Sequence, residues 1–495
     1  MTAPRIAFDN SYARLPDRFF ARVAPEAPPA PRLLRFNRPL AEELGLDADA
    51  LDGVEGAAIF SGGRPPEGAE PLAMAYAGHQ FGGWVPQLGD GRALLLGEVI
   101  DRNGERRDIQ LKGSGRTPFS RRGDGKAALG PALREYSVAE AMHALGVPTT
   151  RALAVALTGG QVFRESVLPG AVVTRVARGH VRVGTFQYFY ARGDVAALKA
   201  LADYVIARNH PEAAEAEDRA LALLQAVAAR TAALVAQWMA VGFIHGVMNT
   251  DNLAVSGETI DYGPCAFMDA YHPDTVFSSI DHTGRYAYAN QPRIAQWNLA
   301  QLGQALLPLI AGGDEDAALP RAQAAIDAIP ELYAVEWLGR FRAKLGLARA
   351  EEGDAALIAD LLGRMTEGRA DFTLTFRALS ALGDTPGPQD AAARALFDDP
   401  AALDDWLGAW RARLTRGERP LAARQAAMRA ANPALIPRNH RVEDALAAAH
   451  EGDLGPLDAL CAALARPYDE LAAEHAHLAA PPRPGEEVTA TFCGT

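Results

Sequence analysis

Residues 76–190 alternate short apolar runs with glycine turns, whereas residues from about 292 to 480 are Ala/Leu-rich and helical in pattern almost throughout. That change of period along one chain restricts its fold more than any other feature. Strand-like runs first and helical runs second predict an α+β protein with a small β-rich lobe followed by a larger helical one.

ALLLGEVI (93–100) and RDIQLKG (107–113) flank Asn103-Gly104, a strong hairpin signal. GPALREYSVAEAMHALG (130–146) reads as a helix, with Pro131 suited to its first turn and Gly146 to its end. RALAVAL and QVFRESV are predicted strands joined through Gly159-Gly160, and AVVTRVA is a third. Residues 217–242 form the longest apolar-periodic segment. The expected organisation is an extension over 1–75, a β-rich lobe over 76–190 and a second lobe over 191–310. A helical region over 311–480 and a loose Pro/Glu-rich tail over 481–495 complete it.

Composition narrows the function. With 49 Lys+Arg against 61 Asp+Glu among 495 residues, the formal charge is −12. An acidic chain is not expected to bind nucleic acid or an anionic membrane, although a local basic cluster can serve one phosphate ligand. Three cysteines, Cys265, Cys461 and Cys493, are too few for a disulfide framework or a zinc site. The apolar stretch Thr231–Ile244 is shorter than the ~20 residues of a membrane span. The N-terminus has no apolar signal core, so a cytoplasmic protein is expected.

Several motifs point to phosphate chemistry. Gly89-Asp90-Gly91-Arg92 lets backbone N–H groups approach a phosphate and adds a guanidinium; an ordinary hairpin turn is the alternative. Lys112 ends an apolar strand, where burial demands an anionic partner, and Glu135 on the following helix is the candidate. The loop 113–126 gathers Arg116, Arg121, Arg122 and Lys126 among glycines around Asp124 and Gly125. Arg175 and Arg182 are further cations, seven positions apart and so not bound to share a face.

The strongest signal is His245-Gly246-Val247-Met248-Asn249-Thr250-Asp251-Asn252 followed by Asp261-Tyr262-Gly263. Kinase catalytic loops read H-R-D-x-x-x-x-N, with the D-F-G aspartate shortly after. Aligned on His245, Asn252 and Asp261 fall on the metal-binding positions, and oxygen ligands of this kind suit Mg²⁺. LAVSGETI (253–260) between them reads as a short hairpin turning at Ser256-Gly257, and His245 as a packing residue. The catalytic aspartate falls on Val247, which accepts no proton; Asp251 is the nearest replacement, and altered chemistry, a conventional kinase using Asp251 and an inactive nucleotide-binding pseudokinase scaffold are the alternatives.

The stretches 76–98, 108–154, 242–271 and 281–302 resemble the selenoprotein O family. The resemblance implies a kinase-like fold that binds ATP in a flipped orientation. It implies transfer of AMP from ATP, or of UMP from UTP as attributed to bacterial members, to Ser, Thr or Tyr hydroxyls of protein substrates. By the same resemblance Gly89, Gly91, Arg92, Lys112, Asp124, Gly125, Arg175, Arg182 and Asp261 contact the nucleotide. Glu135 supports Lys112, Asn252 and Asp261 hold Mg²⁺ or Mn²⁺, and Asp251 accepts the proton. Eukaryotic members carry a C-x-x-U motif near the C-terminus. Here Cys493 takes the selenocysteine position and Ala490 that of its partner, so a local redox pair is lost. A disulfide to Cys493 would need Cys265 or Cys461.

Overall fold

The computed structural model describes residues 6–417 and 419–492. Twelve strands are present among them: β1 Phe20–Arg22, β2 Arg32–Phe36, β3 Leu72–Met74, β4 Gly78–Gln80, β5 Gly83–Val85 and β6 Ala93–Ile100, then β7 Arg106–Lys112, β8 Ala127–Ala128, β9 Arg151–Phe163, β10 Val167–Ala177, β11 Phe243–Ile244 and β12 Ala266–Phe267. Eight form one antiparallel sheet in the order β1-β3-β6-β7-β10-β9-β2, with β8 on β10. Helices dominate from Val183 onward. The protein is thus a mixed α/β fold with an antiparallel sheet.

The β6–β7 hairpin turns at Asn103-Gly104, where Gly104 has a φ of 80°. Two other readings need correction. Gly159-Gly160 is not a turn: β9 runs through both residues, and its pairing with β10 shifts between Pro169 and Ala171. The reason is a close approach, because a Cβ on Gly159 would lie 2.6 Å from that of Ala30. Residues 6–75 are also more than an extension, since β1 with β3 and β2 on β9 supply both edges of the sheet. The sheet therefore ends on both sides in short strands, of three and five residues.

In the helical half, Asp218 caps the Arg219–Val241 helix by accepting from the Leu221 N–H, and left-handed Gly242 ends it. This helix is long and apolar enough to cross a membrane by length and composition alone, which the shorter Thr231–Ile244 window concealed. Here it is a core element. Leu223, Leu224 and Val227 pack in one cluster, Leu234, Val235 and Trp238 in another. Far along the chain, the helices Asn439–His450 and Gly455–Leu464 return to cover the helix Leu129–Ala144. The described part of the tail is anchored at Thr491, which donates its N–H to Phe277 O at 2.7 Å and its hydroxyl to Pro264 O at 2.6 Å.

The helical core holds one charge with no carboxylate in ion-pair range among the described residues. Lys344 is 2 % exposed, and its ammonium meets the rings of Phe372 and Phe376 at 5.3 and 4.3 Å. Burial pushes it down to about 7. A lysine depressed in the folded state makes stability rise with pH from about 7 to the unfolded value. Lys344→Met is expected to raise the thermal midpoint at pH 7, since replacing buried ions by apolar groups often gains about 1–4 kcal/mol. Melting curves at pH 7 and 9 should show the gap to wild type narrowing at the higher pH.

Candidate functional site

Lys112 ends β7 between Ala93 of β6 and Val173 of β10. Residues two apart on a strand share a face, so Gln110 and Lys112 look the same way, joined by Arg175 opposite Gln110. The helix Leu129–Ala144 packs on β9 and β10 and brings Glu135 to this face. Glu135 Oε2 accepts from Lys112 Nζ at 2.7 Å, and Oε1 accepts from Arg175 Nε.

Asp261 meets the same cations from the helical half. Its Oδ1 accepts from Arg175 Nη2 and lies 3.5 Å from Lys112 Nζ; Oδ2 accepts from Arg182 Nη1 at 3.0 Å. Arg175 and Arg182 converge because residues 178–182 turn the chain from β10 into the Val183–Tyr190 helix, with Arg182 at its N-cap. Arg182 also donates to the Asp251 carbonyl at 2.6 Å, and its guanidinium lies 4.6 Å over the Tyr76 ring. Asp261 has a φ of 65°, a conformation rare outside glycine that this cage of ion pairs holds in place.

Electrostatics follow from these contacts. Burial raises the Glu135 and Asp261 carboxyls, but Arg175 and its neighbours outweigh it, leaving Glu135 at about 2 and Asp261 well below the usual range. Burial, then Arg175, lowers the Lys112 ammonium. Asp251 goes the other way: burial pushes it up to about 6 against the pull of Arg182.

One cavity of about 910 Å³ joins these groups. Gly89, Gly91 and Arg92 line it, their turn pinned where Thr117 Oγ1 donates to Asp90 O at 2.7 Å and the Ser120 hydroxyl donates to Gly91 O. Arg121, Arg122, Asp124, Gly125 and Lys126 line it as well. Asp124 is gripped by Arg164 through two hydrogen bonds of 2.9 and 3.1 Å. Arg116 does not line the cavity; its N–H donates to Glu26 Oε1 at 3.0 Å. Asp251, Asn252 and Asp261 complete the wall with Val247, while Glu135 lines an adjoining cavity of about 450 Å³.

Asn252 Nδ2 donates to Val247 O at 3.0 Å, which commits the amide nitrogen and leaves its carbonyl oxygen as the donor atom for a cation. Among the described residues no group of three or more His, Cys, Asp or Glu side chains could hold a metal ion. His245 is buried, its Nε2 2.9 Å from Ile260 O, so it supports the backbone just before Asp261. LAVSGETI is not a self-paired hairpin. Ala254 bridges to Arg182 and Thr259 to Thr149, since both arms find partners in neighbouring segments.

The sequence reading missed Tyr76, Gln80 and Arg164 in the cavity wall. Tyr76 and Gln80 sit in the aromatic, Gly-rich stretch YAGHQFGGW, whose mixture of ring, amide and glycine was the available signal. Cys493 lies outside the described residues. Cys265 and Cys461 are free thiols, pushed by burial up to about 11 and about 12.

Fold and site together define a mixed α/β protein with a cation-lined cleft between its sheet and its helices. A family model described as protein adenylyltransferase SelO matches residues 3–465, and the chain belongs to that family. It is 62 % identical over 489 residues to the protein nucleotidyltransferase YdiU of Rhodopseudomonas palustris (strain BisB5), covering 99 % of both chains. It is 62 % identical over 496 residues to the protein of the same name from Rhizobium rhizogenes, covering 100 % of this chain and 98 % of the relative. The same name is carried by a Rhizobium meliloti protein, 61 % identical over 496 residues and covered fully on both sides.

Proposed function

We propose that the chain transfers AMP from ATP, or UMP from UTP, to Ser, Thr or Tyr hydroxyls of protein substrates, releasing pyrophosphate. The observation that carries this reading is that one cavity holds Asp251, whose buried Oδ1 has no hydrogen-bond partner, together with Lys112, Arg175 and Arg182. The family and the names of the relatives support the same class of reaction. The sheet and the helical half act as the two lobes of a kinase-like fold, with Lys112–Glu135 as the strand–helix ion pair of that device.

The acceptor oxygen attacks the α-phosphorus and gives its proton to Asp251. A new P–O bond forms as the bond to the β-phosphate oxygen breaks. Lys112, Arg175 and Arg182 stabilise the charge that develops on departing pyrophosphate, with the triphosphate in the flipped orientation. Gly89, Gly91, Arg92, Asp124 and Gly125 hold the rest of the nucleotide. Asn252 and Asp261 would hold Mg²⁺ or Mn²⁺. Two protein oxygen donors suit a cation that keeps water and phosphate oxygens as its other ligands. When bound, the metal supplies further neutralisation of phosphate charge.

Incubation with ATP labelled at the α- or the γ-phosphate tests the reading. Protein is expected to retain label from α-labelled ATP only. Retention from γ-labelled ATP alone would make the chain a kinase instead.

A further inference from the structure

The small hairpin β4–β5 turns at Phe81 and Gly82, with φ of 51° and 84°, the paired left-handed conformation of a type I′ turn. One edge of it lies along the loop that carries Asp251. His79 donates its N–H to Thr250 Oγ1 at 2.7 Å, and Phe81 donates its N–H to Asn249 Oδ1 at 2.9 Å. Tyr286 donates its hydroxyl to the same Asn249 oxygen at 2.5 Å. Between these anchors Gln80 Nε2 donates to Asp251 Oδ2 at 3.2 Å. The approach is tight: a Cβ on Gly78 would lie 2.8 Å from Asp251 Oδ1.

Asp251 is 6 % exposed, and its Oδ1 has no hydrogen-bond partner. That oxygen is shut in against Gly78 with almost no accessible surface, so the orientation of the carboxyl is fixed through its other oxygen, which the Gln80 amide holds.

We propose that Gln80 is a positioning residue, tying down Asp251 Oδ2 so that the carboxyl keeps the orientation in which it takes the proton of the acceptor hydroxyl. This rests on the reading of Asp251 as proton acceptor, and Gln80 acts through that carboxylate. Without the amide, the carboxyl turns about its terminal torsion, which is broad, and the reacting geometry is held less often.

The test uses the full chain with Mg²⁺, α-labelled ATP and dephosphorylated casein as acceptor. Gln80→Ala removes the amide; Gln80→Asn keeps it on a stem one methylene too short. Both are expected to lower kcat about tenfold or more, with KM for ATP within about twofold of wild type. Added to Asp251→Asn, Gln80→Ala is expected to lower the residual rate no further, because both changes act on one carboxyl. Affinity for a fluorescent ATP analogue and the thermal midpoint are expected to stay near wild type, which separates positioning from damage to the fold. A wild-type kcat in Gln80→Ala, or an additive loss in the double variant, overturns the proposal. In that event Asp251→Asn alone remains impaired, whereas full activity in Asp251→Asn overturns the proton-acceptor reading itself.

Discussion

Asp251→Asn is expected to lower nucleotide transfer to protein by about 10²–10⁴-fold, the usual contribution of a positioned general base. The substitution keeps the shape of the side chain. The Arg182 bond to residue 251 uses the backbone carbonyl, so the cavity wall stays in place. Nucleotide affinity, measured with a fluorescent ATP analogue, is therefore expected to change little. Val247 also faces this cavity and accepts no proton, so no other group in the 245–252 loop inherits the task easily. A variant that transfers at the wild-type rate would remove Asp251 from the chemistry.

The second large effect is expected from Asp261→Ala, in two separate measurements. Transfer falls by about 10³-fold or more, because cation binding and phosphate alignment both lose their anchor. In the free protein the thermal midpoint also drops, since Lys112, Arg175 and Arg182 lose a carboxylate that all three share. Breaking a buried ion pair typically costs about 3–5 kcal/mol, and less is expected here because Glu135 still pairs Lys112 and Arg175. Inorganic tripolyphosphate supplies the missing negative charge, so it is expected to raise the midpoint of the variant more than that of wild type. An equal rise in both proteins would show that these cations do not receive phosphate.

How much of this was legible in the sequence depends on the range of the forces involved. The β6–β7 hairpin was, because alternation and Asn103-Gly104 are local signals that agree. The Lys112–Glu135 pair was too, because a charge at the end of an apolar strand demands a partner on whatever covers it. Gly159-Gly160 misled: two glycines suggest a turn, and only Ala30, well over a hundred positions away, explains them inside a strand. The sheet edges were invisible for a similar reason, since β1 and β2 span three and five residues in Pro-rich surroundings. Gln80 was hidden by its turn, which is Phe-Gly where the usual type I′ signal is Asn-Gly. Arg175 and Arg182 appeared unrelated by spacing, and the turn over 178–182 is what brings them to one carboxylate.

That shared carboxylate has a mechanical side. Arg175 belongs to the sheet, Arg182 starts the first helix beyond it, and the five residues up to Arg182 join the two. Asp261, from the far side of the cleft, grips both arginines at once. The two ends of this junction are therefore held by one side chain. A polyanion drawn to the same guanidiniums would meet Asp261 as a competitor for both ends of the joint at once.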